Sequence, residues 1–278
     1  MADVIITSLR NKRVKKVRAV VRSRKSRRKH GVFFIEGVHA VTAAYENDWD
    51  VSMLIYCPDA VHTDWAKDII AHADPQTHLP VNEYVQKQLS DRDSPSELMA
   101  LVKQREDDLA RIRIVDDAVN ATKLLVVLLD RPRSPGNLGS TIRSADALGA
   151  QAVIITGHAV DPYDPRAVRA SMGSLFEIPV VRIQRHRLLE EWIQEVRARL
   201  GRFQVVTASA HTDRLIYNHD LTIPTMLIIG NEKLGLSNYF QEMCDVSVTI
   251  PISGSASSLN ASVAASIFLY EVNRQRSQ

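Results

Sequence analysis

Cysteine is scarce in this chain: Cys57 and Cys244 are the two among 278 residues, and they do not form a CxxC pair. A disulfide framework or a cysteine zinc site is not expected, and a reducing compartment such as the cytoplasm fits. The nine histidines show no metal-ligand spacing, so no metal is expected. No apolar run approaches the roughly 18 residues of a membrane span, and no apolar stretch precedes a small-residue cleavage site near the N-terminus, so neither a membrane partner nor a signal peptide is expected. GxGxxG, Walker A and GxSxG are all missing, which removes a Rossmann dinucleotide site, a P-loop and a serine-hydrolase elbow.

Acidic residues are missing from one place in particular. Twelve of the 35 Lys and Arg lie in residues 1–30, against one of the 32 acids, Asp3; the rest of the chain holds 23 basic and 31 acidic residues, a charge of −8. A basic block this dense suggests a polyanion such as RNA or DNA, the alternative being a solvated charged face. A mitochondrial transit peptide is also Arg-rich, but here Lys is abundant and the block runs straight into a strand-like stretch.

What is present is an alternation of strands and helices. Val14, Val17, Val20 and Val21 recur at helical spacing and predict a basic helix over 10–29. Val32–Ile35 and Val51–Tyr56 read as strands, and Val38–Glu46 and Asp64–Ala73 as helices, which describes a small α/β domain. Pro75, Pro80 and Pro95 mark turns and short elements. A charged, broken stretch at 107–120 reads as the linker, giving domains 1–115 and 116–278. Beyond it, continuous apolar runs at Leu124–Leu129, Ala152–Thr156, Gln204–Ala208 and Met226–Ile229 suit strands buried on both faces of a parallel sheet. Val246–Ile250 is a more alternating strand. Arg187–Leu200 is an amphipathic helix, and the last helix, from Leu259 to about Arg274, is apolar nearly all round, as if deeply buried or packed against another subunit.

In open α/β sheets ligands bind beyond the carboxyl ends of strands, and three segments lie there. The first is the loop Arg131–Ser140 followed by a helix at Thr141–Leu148; Arg143 in that helix is a candidate for phosphate, although alone it reads as a surface arginine beside a turn. The second, Gly230-Asn231-Glu232-Lys233-Leu234-Gly235-Leu236-Ser237, is by itself as consistent with a turn as with a site. The third, Ile250 to Asn260, is a Gly/Ser loop in which Ser257 or Ser258 can cap the final helix. Arg166 and Arg169, flanking a short helix, are further phosphate candidates.

Together the three segments resemble the three motifs of the SPOUT superfamily in its SpoU branch of tRNA and rRNA ribose methyltransferases. The first matches as Pro135-Gly136-Asn137-Leu138-Gly139 through Arg143, Ala145, Asp146 and Gly149-Ala150. The second matches as Gly230-Asn231-Glu232 with Gly235-Leu236-Ser237, and the third as Ile250-Pro251 with Ser258-Leu259-Asn260. Asn11-Lys12 with the basic helix, then Phe34-Ile35-Glu36-Gly37, resembles the family's RNA-binding domain of ribosomal-protein L30e type. The resemblance implies a parallel-sheet catalytic domain with a trefoil knot, a homodimer, S-adenosylmethionine as cofactor, and RNA as substrate, with 23S rRNA preferred over tRNA. A non-catalytic RNA-binding protein of the same fold is the main rival, and an enzyme of that fold methylating a base is the second. The implied polar functional residues are Asn137, Arg143, Glu232, Ser258 and Asn260. The implied cofactor contacts are Gly230, Asn231, Ile250 and Leu259, with Thr207 on the strand Gln204–Ala208. Ser134 stands where the family commonly has Asp, and Lys233 where glycine is usual. The family's general base falls on Arg143; a guanidinium is effectively always charged, so Arg143 is better suited to stabilising a developing alkoxide.

Overall fold

The computed structural model describes residues 4–115, 124–209 and 212–277. Of the expected linker, residues 116–120 therefore lie outside the described residues, as does the 115/116 boundary. The chain divides into two units: residues 1–105 with 161–177, and residues 106–160 with 178–278. The first unit is thus discontinuous in sequence. Residues 107–115, read as linker, pack on the second unit because they carry apolar anchors: Ile112 is buried in its core, with Leu109 and Ile114 packed against it.

In the first unit the basic block folds as two helices, α1 (Lys12–Arg22) and α2 (Arg24–His30), where the sequence suggested one. Ser23 breaks them with an extended backbone, and its hydroxyl accepts from the Ser26 amide at 3.4 Å as the cap of α2. Val14, Val17 and Val20 face inward with no exposure. Then follow β1 (Val32–Glu36), α3 (Val38–Glu46), β2 (Val51–Tyr56), α4 (Asp64–His72), β3 (His78–Pro80), α5 (Glu83–Leu89) and β4 (Leu98–Lys103). The sheet order is β1-β4-β2-β3, antiparallel except for the β2–β3 pair.

The second unit contains β5 (Leu125–Asp130), α6 (Pro135–Ala147) and β6 (Ala152–Thr156). The chain then contributes α7 (Pro165–Ser171) and α8 (Ser174–Glu177) to the first unit. It returns as β7 (Val180–Ile183), α9 (His186–Leu200), β8 (Gln204–Ala208), β9 (Thr225–Ile229), α10 (Asn238–Met243), β10 (Val246–Val248) and α11 (Ala261–Arg276). The six strands are all parallel in the order β10-β8-β9-β5-β6-β7. The central strands β5 and β9 are buried along their whole length, which explains their continuous apolar sequences. The last helix is buried on one side only in this chain: Phe268, Leu269 and Val272 are buried, while Val263 and Tyr270 are exposed. No helix among the described residues is long and apolar enough to cross a membrane.

Candidate functional site

The site is built where β5 and β9 lie side by side. From β5 the sheet continues to β6 and β7 on one side and through β9 to β8 and β10 on the other, a switch point that leaves a crevice beyond the strand ends. All three sequence segments leave the sheet at this edge, following β5, β9 and β10.

The first segment is largely helix. Where the sequence suggested a loop up to Ser140, α6 begins at Pro135. Proline suits this first helical position, since its missing N–H is one the helix leaves unpaired anyway. Ser134, extended at φ −96°, accepts the Asn137 amide at 3.3 Å and caps the helix. Serine and aspartate are equivalent caps, so Ser134 performs the task open to an aspartate there. The helix start places Asn137 in its first turn.

Asn137 joins the three segments. Its Nδ2 donates to Glu232 Oε1 at 2.9 Å, and its Oδ1 accepts from Asn260 Nδ2 at 3.2 Å. Asn260 in turn caps α11, its Oδ1 accepting from the Ser262 amide at 2.9 Å and the Val263 amide at 3.4 Å. The cap of the last helix is therefore Asn260, and not Ser257 or Ser258, because α11 starts at Ala261.

The second segment is held by two groups. Asn231, buried, donates from Nδ2 to the Arg131 carbonyl at 2.6 Å, and its Oδ1 accepts from the Lys233 and Leu234 amides at 2.9 and 3.0 Å. Its side chain thus closes the loop from within. Asp130 is the other. Its carboxylate, 2% exposed at the end of β5, accepts from the Ser237 amide at 2.8 Å and from both Nε and a terminal nitrogen of Arg131 at 2.9 Å. Sequence reasoning gave Asp130 no role; the signal was a carboxylate ending a buried strand, which needs partners to sit there. At Gly230 a Cβ would come within 2.7 Å of the Gly235 carbonyl carbon and 2.8 Å of the Leu236 nitrogen, so only glycine lets the loop fold back on itself.

Thr207 is fully buried in β8, with Oγ1 2.8 Å from Ser247 Oγ of the neighbouring strand. Ile250 is half-buried, just beyond β10. Leu259 is 37% exposed and Ser258 is exposed. Between them, no backbone N–H from 250 to 259 donates to a described residue, which leaves the amides of this exposed loop to solvent or to a ligand. Arg143 stands exposed on α6, and its side chain makes no ion pair or hydrogen bond among the described residues; it is not joined to the Glu232–Asn137–Asn260 chain. Arg166 and Arg169 pair with Asp164 and Asp91 within the first unit. Tyr239, on α10, donates to Glu190 at 2.7 Å; burial and that carboxylate push the phenol far above its ordinary range, so it is no proton acceptor.

Residues 124–270 match the SpoU rRNA methylase family, and residues 11–100 match the MRM3-like substrate binding domain. A 23S rRNA (uridine(2479)-2′-O)-methyltransferase of Streptomyces viridochromogenes is 41% identical over 98% of this chain and 92% of its own length. The 23S rRNA (guanosine(2553)-2′-O)-methyltransferase RlmP of Bacillus subtilis strain 168 is 30% identical over 96% of this chain and 98% of its own. Among solved structures, the SpoU methyltransferase AviRb of S. viridochromogenes in complex with AdoMet superposes with a TM-score of 0.88 at 40% identity, covering 96% of this chain and 98% of that one. An AdoMet-bound rRNA methyltransferase from Sinorhizobium meliloti gives 0.83 at 32% identity, covering 98% and 97%.

Proposed function

We propose how this chain acts from one premise: it belongs to the SpoU rRNA methylase family, and is an S-adenosylmethionine-dependent RNA 2′-O-ribose methyltransferase. Its substrate is 23S rRNA. The two relatives named above act on a uridine and a guanosine of that RNA, as suits chemistry at a ribose, where the base is not the reacting group.

The observation that carries the site assignment is the bridge from Glu232 through Asn137 to Asn260, which ties all three strand-end segments into one constellation. The residues present fit the cofactor. The loop 250–259 has amides without described acceptors, and Ile250, Ile252 and Leu259 place partly exposed apolar groups beside them. Such a mixture suits a nucleoside held through backbone groups between apolar walls. Gly230, Ile250 and Leu259 are assigned to it through their backbones, and Asn231 and Thr207 support it from behind by fixing the loop after β9 and the β8–β10 pair. Bound there, S-adenosylmethionine supplies an electrophilic methyl group.

The chain's own residues position the hydroxyl. Glu232, Asn137 and Asn260 orient the loops, and Ser258 shapes the segment before α11. Correct placement alone supplies up to roughly 7–11 kcal/mol. Arg143, exposed and without a described counter-charge, binds the ribose hydroxyl and its neighbouring phosphate and stabilises the developing alkoxide, while a phosphate or water takes the proton. Arg143→Lys keeps the charge but loses the fork. Its methylation rate should fall by roughly 10²–10³ with S-adenosylmethionine affinity unchanged; an undiminished rate contradicts this role.

A homodimer, a trefoil knot in the second unit and a cytoplasmic location complete the reading. They rest on the family resemblance and, for the location, on the partner RNA. Titration calorimetry with S-adenosylmethionine and labelled methyl transfer to 23S rRNA and tRNA test it. Binding with transfer to 23S rRNA is expected. No cofactor binding would favour a non-catalytic RNA-binding protein, and transfer to tRNA alone would move the substrate.

A further inference from the structure

The basic block does not act as a uniform charged surface. Some of its residues are already engaged: Arg27 is 3% exposed and donates to Asp161 at 2.8 Å, and Arg13 donates to the His78 carbonyl at 2.9 Å. Others converge. Lys15, Arg18 and Arg22 stand at i, i+3 and i+7 of α1, so they share one face of the helix. That face flanks the buried stripe of Val14, Val17 and Val20: Lys15 and Arg22 point outward, and half-buried Arg18, next to Val14 around the helix, borders the stripe. With Ala19, Ser23 and Ser26 they line an open cleft of about 380 Å³ at the break between α1 and α2. Ala19 leaves the room, and the extended backbone of Ser23 brings Ser26 of α2 to the same cleft.

Two further facts point to a ligand. No carboxylate pairs with Lys15, Arg18 or Arg22 among the described residues. Arg18 is half-buried, and its Nε–H has no acceptor among the described residues, so no protein oxygen draws the guanidinium away from the cleft. We propose that this cleft is a phosphodiester-binding site for the backbone of the substrate RNA, with the Arg18 and Arg22 guanidinium groups and the Lys15 ammonium on phosphate oxygens and the two serine hydroxyls as added donors. Planar guanidinium forks match phosphate geometry. The three positive residues extend about 10 Å along the helix axis, which suits a run of backbone more than a single ion. Interactions of this kind position the RNA without reading its sequence. The site rests on the reading of this chain as an RNA methyltransferase.

The test compares the full-length protein with two triple variants of equal charge. One is Lys15→Gln/Arg18→Gln/Arg22→Gln in the cleft; the other is Lys12→Gln/Lys16→Gln/Lys29→Gln outside it. RNA affinity is measured against salt with a 23S rRNA fragment, alongside S-adenosylmethionine affinity and melting temperature. The cleft variant should bind RNA roughly tenfold or more weakly, and its log–log salt slope should shrink by about 0.7–0.9 for each phosphate that is no longer neutralised. Cofactor affinity should stay unchanged, and the control variant should lose clearly less RNA affinity. Arg22→Gln alone, the smaller change, should move the slope in the same direction if the triple variant melts early. Equal losses in the two triple variants would overturn the site in favour of diffuse attraction. Unchanged RNA binding by the cleft variant would overturn it while the RNA reading stands. A wild-type protein without salt-dependent RNA binding would overturn both.

Discussion

At the scale of single residues, Asn137 is the most informative. It gives one proton to Glu232 and takes one from Asn260, a pairing that an amide can make and a carboxylate cannot. Asn137→Asp is nearly isosteric and keeps the acceptor for Asn260, but sets two carboxylates against each other. Methylation should fall by roughly tenfold or more, the scale of about 1.4 kcal/mol in the barrier, with the melting temperature nearly unchanged because the residue is not buried. A rate equal to wild type would show that the bridge is incidental. The sequence picked out Asn137, Glu232 and Asn260 through joint resemblance to family motifs. It did not reveal that one amide links them, since pairing at 95 and 123 residues of separation depends on sheet order.

His219 offers a residue-level test of pH. Burial first, and Arg214 second, hold its pKa below the ordinary value, with Asp220 opposing them; its Nε2 lies 2.9 Å from Gln204 Oε1 and so donates. The folded chain therefore keeps this ring neutral where the unfolded chain would protonate it. Below about pH 6.5 the unfolded state binds more protons, and stability falls as pH drops through that window. Between about pH 7.5 and 5.5, either side of that ordinary value, wild type should lose more in melting temperature than His219→Gln. Equal losses would remove His219 from the account.

At the scale of elements, the strands were legible where burial was symmetric. β5, β6, β8 and β9 are central or nearly so, and their largely apolar runs announce them, although β8 carries buried Gln204 and Thr207 among its valines. β7 escaped notice because it is the sheet edge: Arg182 sits within it, paired to Asp107 at 2.8 Å. β4 was also missed, since Leu, Met and Ala carry little strand preference although the strand is central in its sheet. The start of α6 was misread for a different reason. Pro-Gly-Asn reads as loop chemistry, but after a capping serine the proline and the following residues form a first helical turn. Ser134→Ala should cost about 1 kcal/mol of stability and lower kcat together with cofactor affinity, whereas Ser134→Asp should preserve both. Loss of function in Ser134→Asp would show that the serine does more than cap.

At the scale of the molecule, the partition of the chain was the least legible feature. Sequence patterns are local, and nothing in 161–177 says that this stretch, inserted between β6 and β7, folds with residues 1–105. Its anchors are aromatic and ionic. Phe33 packs against Tyr163 at 4.5 Å between ring centroids and against Phe176 at 6.0 Å, and the Trp49 indole donates to the Phe176 carbonyl at 3.2 Å. Arg27 and Asp161, each 3% exposed, form the ionic anchor at 2.8 Å. Removing residues 1–105 would therefore strand these groups, and point variants are the cleaner probe of RNA binding. Arg27→Met removes the buried counter-charge of Asp161, which keeps the Tyr163 amide as a partner, and should destabilise the protein by up to about 3–5 kcal/mol. Replacing the pair as Arg27→Met/Asp161→Leu should recover much of that in a denaturant melt; equal destabilisation by both variants would mean that Arg27 acts by packing alone.

The assignment of function stands on where the methyl group goes. Purified protein, labelled S-adenosylmethionine and 23S rRNA can be combined, the RNA digested to nucleosides, and the labelled nucleoside identified. The label is expected on a ribose as a single 2′-O-methylnucleoside, sharply reduced in Asn137→Asp. Label on a base, or cofactor binding with no transfer to any RNA, would contradict it.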